Sequence, residues 1–136
     1  MASLRTALDL QGDPAIESAI AELFDEGEIL RHAHKVRRRY HARRDALLSA
    51  LKEHLPGVVR CDPPAGGLAL WAEVDGDVNL ERWSEAALEQ GVAIQPGNVY
   101  AFEPKPVPFL RLGFTAHSEE ELTAAVKTLA KALRKI

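Results

Sequence analysis

The sequence predicts an α+β fold, with helices packed on one small, mainly antiparallel sheet in the order α-α-β-β-α-β-β-α. Three observations carry this expectation. Apolar residues recur at three- and four-residue spacing up to Leu55 and again from Leu122, the mark of helix faces. Between these stretches the period falls to two, with Leu68, Leu70, Ala72 and Val74 set against Ala69, Trp71 and Glu73. Turn or capping residues stand at the junctions, from "QGDP" to "HSEEEL". With 136 residues, 46% hydrophobic and 27% charged, the chain suffices for one domain with one core, so residues 1–136 are expected to form a single domain.

The elements follow in order. Ile16, Ala19, Ile20, Leu23 and Phe24 share a helix face, with Asp13 as cap and Pro14 in the first turn. Gly27 breaks the chain before a longer helix from about Ile29 to Leu55, striped by Ala33, Val36, Tyr40, Leu47, Leu51 and Leu55, and "PG" ends it. "VVRC" and "GLALWAEV" read as strands joined through "DPPAGG", where Gly66 and Gly67 allow geometry or approaches that a Cβ would block. Leu80, Trp83, Ala87 and Leu88 predict a third helix ending at Gly91, followed by the short strand "VAIQ". "PGNVYAFEPKPVP" is a long loop with four prolines, a kind of segment that is often functional. "FLRLGF" is the last strand. Ser118 and Glu121 form a capping box for a closing helix faced by Leu122, Ala125, Val126, Leu129 and Leu133.

Composition excludes several classes. No apolar run approaches the roughly 18 residues of a membrane span, and "MASLRTALDLQGDP" lacks a signal-peptide core, so a soluble cytoplasmic protein is expected. The single cysteine, Cys61, makes neither an internal disulfide nor a thiolate zinc site. The net charge of −3 hides a basic stretch, "RHAHKVRRRYHARR", with seven Arg or Lys and no acid. On a helix such a run is ordinarily a solvated face, and nucleic-acid binding is a minor alternative.

Catalytic motifs are absent from the sequence: no nucleophile elbow, no zinc-helix pair, no phosphate loop and no dinucleotide fingerprint. His32 and His34, two apart on a helix, point to different faces. Of six lysines, Lys35, Lys52, Lys127, Lys131 and Lys135 lie in polar helical or terminal contexts and Lys105 between prolines. None sits at the end of an apolar strand, where a Schiff-base lysine would be desolvated. The residue that demands explanation is Arg111, set among Phe109, Leu110, Leu112 and Phe114 in what reads as a buried strand. Burying an unpaired guanidinium would cost on the order of several kcal/mol, so a partner is required. Either an internal carboxylate such as Glu73 or a ligand carboxylate fills that role.

Four ordered segments, "YHARRDALLSAL", "PPAGGLALW", "GVAIQPGNVYAF" and "PFLRLGFTAHSEEEL", together resemble the C-terminal small domain of fold-type I pyridoxal-phosphate-dependent aminotransferases of class I and II. The flavour is that of the aminotransferase-like part of MocR-type regulators of the GntR superfamily. The resemblance implies an amino-acid or amine substrate for the parent, with Arg111 gripping the α-carboxylate when the substrate is an amino acid and Gly66, Gly67, Asn98 and Tyr100 as further candidates. It implies a larger homodimeric parent whose preceding large domain supplies the Schiff-base lysine and the other pyridoxal 5'-phosphate ligands. Residues of about 14–55 would connect to that domain. No catalytic residue, metal or bound cofactor is expected in this chain, and any DNA contact would belong to an N-terminal winged helix that it does not contain. The alternative is a free-standing small-molecule binding module with a ferredoxin-like arrangement.

Overall fold

The computed structural model describes residues 12–103 and 107–136, and the chain divides into two compact units at Arg38 and Arg39. In the first unit, helix α1 spans Pro14–Asp25. The Asp13 carboxylate accepts from the backbone N–H of Ala15 at 3.0 Å and of Ile16 at 3.3 Å, satisfying donors that the first turn leaves unpaired. Its apolar stripe of Ile16, Ile20, Leu23 and Phe24 is exposed. Gly27, at φ +72°, turns the chain into helix α2, Glu28–His54, which runs on into the second unit.

In the second unit α2 buries Leu47, Ala50 and Leu51, three and four residues apart on one face. Four strands follow: β1 (Val59–Arg60), β2 (Ala69–Val74), β3 (Gln95–Pro96) and β4 (Phe109–Gly113), arranged as β1-β2-β4-β3 with every pairing antiparallel. Helix α3 (Leu80–Leu88) lies between β2 and β3 in sequence, and helix α4 (Glu119–Leu133) follows β4. The predicted element order is therefore present, with a 3-10 turn, Gly97–Tyr100, added after β3.

Alternation decides which sheet face is covered. Leu70, Ala72 and Val74 of β2 and Leu110 and Leu112 of β4 are buried, and they share one core with Trp83, Ala87, Leu122, Val126, Leu129 and Ala132. Among the described residues this core contains no buried polar or charged residue. Trp83 is fully buried, and its indole Nε1–H donates to the Leu129 carbonyl at 2.9 Å, tying α3 to α4. The capping box forms as the sequence predicts, with Ser118 Oγ accepting from Glu121 N at 3.2 Å and Glu121 Oε2 from Ser118 N at 2.7 Å.

The strand expected over "VAIQ" is shorter than its apolar pattern, because only Gln95 and Pro96 pair with β4. Val92 N–H bonds instead to the Ala87 carbonyl at 3.0 Å, and Ser84 Oγ–H reaches the Ile94 carbonyl at 3.4 Å. Helix α3 thus takes backbone groups that a longer ladder would have used.

Candidate functional site

The other face of the sheet is open. Register sets Arg111 directly opposite Trp71 on β2 and opposite Gln95 on β3, so the three form one row across three strands. The expectation that Arg111 lies in a buried strand is corrected here. Its neighbours Leu110 and Leu112 are buried, whereas Arg111, one residue out of phase with both, is exposed. The apolar run was misleading because Phe109 is also on the outward phase, half-buried beside Trp71.

The internal carboxylate partner is corrected too. Glu73 lies on the same face but pairs with Arg60, Oε2 to Nε at 3.4 Å, and stands opposite Phe109 and Arg60 in the ladders. Arg111 Nη1–H donates to Gln95 Oε1 at 3.3 Å, and among the described residues no carboxylate pairs with it. Gln95 Oε1 also accepts from the Tyr100 hydroxyl at 2.5 Å. Tyr100 and Trp71 form a T-shaped ring pair, centroids 5.7 Å apart at 76°, and Trp71 stacks on Phe109 at 5.6 Å and 10°. An arginine held at one nitrogen by a neutral amide keeps further N–H donors for a planar anion.

The loop candidates divide by role. Asn98 Oδ1 accepts from Val107 N at 2.8 Å, clamping the two ends of the proline-rich loop rather than contacting Arg111. Lys105 lies outside the described residues. Gly97 is buried, and a Cβ there would lie 2.5 Å from Val107 Cγ1, so the turn that carries Tyr100 needs glycine for this close approach. Gly67, at φ +97°, leads into β2, while Gly66 has open space around it. Arg44 Nη1–H donates to the Pro64 carbonyl at 3.1 Å and Arg43 to that of Thr115, so part of the basic helix stretch fastens loops of this unit. Beside the Arg111–Gln95 end of the sheet opens a cleft of about 780 Å³, with Ile94, Gly113, Thr115 and Leu122 in its walls.

Trp71, Gln95 and Phe109 belong to the site, and sequence reasoning passed over them. The signal was available: Trp71 and Arg111 are each out of phase with the leucines beside them, which puts both on the uncovered face.

Residues 13–129 match the family described as aminotransferase class I and II. The chain belongs to that family. It is 34% identical to aromatic-amino-acid aminotransferase 1 of Thermococcus litoralis over 85% of this chain and 28% of that protein. It is 26% identical to the uncharacterized HTH-type transcriptional regulator YdfD of Bacillus subtilis over 100% of this chain and 28% of that protein. Among solved structures, it overlays on the α-aminoadipate aminotransferase LysN of Thermus thermophilus with a TM-score of 0.84 at 28% identity, over 98% of this chain and 34% of that one. This aminotransferase-like chain therefore spans less than a third of the length of these two curated relatives.

The LysN structure holds N-(5'-phosphopyridoxyl)-L-leucine, a derivative of the cofactor pyridoxal phosphate. No described lysine of this chain lies in an apolar pocket that would suit a Schiff base with that cofactor. Lys35, Lys52, Lys127, Lys131 and Lys135 are all exposed. No described helix is long and apolar enough to cross a membrane, and no cluster of metal-ligating side chains occurs among the described residues.

Proposed function

We propose that this domain supplies the substrate-carboxylate grip of a pyridoxal-phosphate-dependent aminotransferase-like protein whose cofactor is held by residues outside the chain. The observation that supports the reading is the state of Arg111: exposed on the open sheet face, bonded to a neutral amide, with no carboxylate partner among the described residues. A guanidinium fork receives a carboxylate through two parallel hydrogen bonds, which fix its rotation as well as its position. The substituents on the adjacent Cα are oriented with it.

Family membership alone leaves two uses for such a grip. In a transaminase, orientation of the Cα–H bond assists proton removal. In a regulator of the HTH type, the same contact makes amino-acid binding bias the conformational equilibrium of an attached DNA-binding domain. The same reading has a large domain joined through residues of about 14–55, a homodimeric parent and a cytoplasmic setting. Gly66, Gly67, Asn98 and Tyr100 are proposed as residues near the bound substrate. Replacing Arg111 by Lys in the full-length protein tests the reading: amino-acid affinity falls by about tenfold or more if the fork is the grip, and stays put if it is not.

A further inference from the structure

Resting on the reading of Arg111 as a carboxylate grip, we propose that Gln95 and Tyr100 are positioning residues that aim its guanidinium and keep it selective for an incoming carboxylate. The four residues Trp71, Arg111, Gln95 and Tyr100 lie together on the open face. Register places Trp71 and Gln95 on the two flanks of Arg111. Tyr100, carried by the 3-10 turn, contacts both flanks: its ring and that of Trp71 meet in a T-shaped pair with centroids 5.7 Å apart, and its hydroxyl donates to Gln95 Oε1 at 2.5 Å. The same oxygen accepts from Arg111 Nη1 at 3.3 Å. Tyr100 therefore locks the amide that anchors the arginine.

The choice of an amide has a physical consequence. An exposed arginine on a strand samples many rotamers, and ordering it costs affinity when a ligand binds. Anchoring one nitrogen reduces that cost while leaving the remaining N–H donors for a two-pronged contact. A glutamate in the same place would make both hydrogen bonds equally well, yet it would neutralise the guanidinium and occupy it as an internal carboxylate. A neutral acceptor with a donor locked behind it orients the charge and leaves it unspent.

The experiment uses the full-length protein loaded with pyridoxal phosphate. Calorimetric affinities are measured for L-leucine, L-tyrosine and L-lysine and for their decarboxylated counterparts isoamylamine, tyramine and cadaverine. The readout is the ratio of amino-acid to amine affinity for the pair with the largest wild-type ratio, because that ratio isolates the carboxylate. Gln95→Glu should lower it by about tenfold or more, and Gln95→Leu and Tyr100→Phe by about two- to fivefold. Denaturant midpoints identify any variant that has lost its fold, and the remaining variants then carry the test. A ratio unchanged in the folded Gln95 and Tyr100 variants, but collapsed in Arg111→Lys, overturns the positioning role alone. A ratio unchanged in Arg111→Lys, or no wild-type preference for any amino acid over its amine, overturns the carboxylate grip itself.

Discussion

Trp71 and Arg111 face each other across β2 and β4, and the indole also stacks on Phe109 with ring centroids 5.6 Å apart and 10° between planes. Phe109 is the diagonal neighbour of Trp71 in this antiparallel pair, a spacing that long and aromatic side chains can bridge. The stack belongs to the exposed face, so it contributes packing where the core helices cannot. A double-mutant cycle of Trp71→Ala and Phe109→Ala should give a coupling energy of about 0.5–1.5 kcal/mol. Additive losses in urea unfolding would show that the rings do not support one another.

What the sequence made legible was local. The Asp13 cap, the Gly27 break and the Ser118–Glu121 box depend on residues within a few positions of each other, and each forms. The extents of β1 and β3 were not legible, because pairing with another strand decides them, and helix α3 takes hydrogen bonds that β3 would have needed. Arg111 was found as the residue to explain, but its burial was misread because hydrophobic neighbours lie on both phases of β4. The Trp71–Arg111–Gln95 row joins residues far apart in sequence, and only the register brings them together.

The two glycines ahead of β2 should respond differently. At φ +97° Gly67 occupies a region that side chains disfavour, so Gly67→Ala should destabilise by about 1–3 kcal/mol. Gly66 has nothing within 4 Å of an added Cβ and no positive φ, so Gly66→Ala should lie within about 0.5 kcal/mol of wild type. Equal effects on the denaturant midpoint would contradict this account of the turn.

Acid sensitivity should appear at the start of α4. Hydrogen bonds from Ser118, first from its backbone N–H, hold the Glu121 carboxyl below its ordinary value, with smaller help from His117 and Arg43. A carboxyl whose folded pKa is depressed contributes stability above its unfolded value, near pH 4.3 or so, and loses it as pH falls through the folded value. The advantage of wild type over Glu121→Gln should therefore be present at neutral pH and shrink in acid. Parallel stability–pH curves for the two proteins would rule this out.

Trp83→Phe should cost about 2–4 kcal/mol, since it removes a ring from a fully buried position and the hydrogen bond from Nε1 to the Leu129 carbonyl. Thermal unfolding provides the check. A loss as small as that of a surface substitution would mean that α3 and α4 do not depend on this tie.

The central claim is that Arg111 is held ready for a ligand rather than for the fold. The most direct measurement pairs denaturant midpoints of this 136-residue chain with amino-acid affinities of the full-length protein, for wild type, Arg111→Lys and Arg111→Ala. With Arg111 exposed and bonded only to the Gln95 amide among the described residues, both variants should keep their stability within about 0.5 kcal/mol. Both should lose amino-acid binding, Arg111→Lys by about 1.5–3 kcal/mol because one ammonium cannot reproduce the fork. A large fall in stability for both variants, with affinity preserved, would contradict the account.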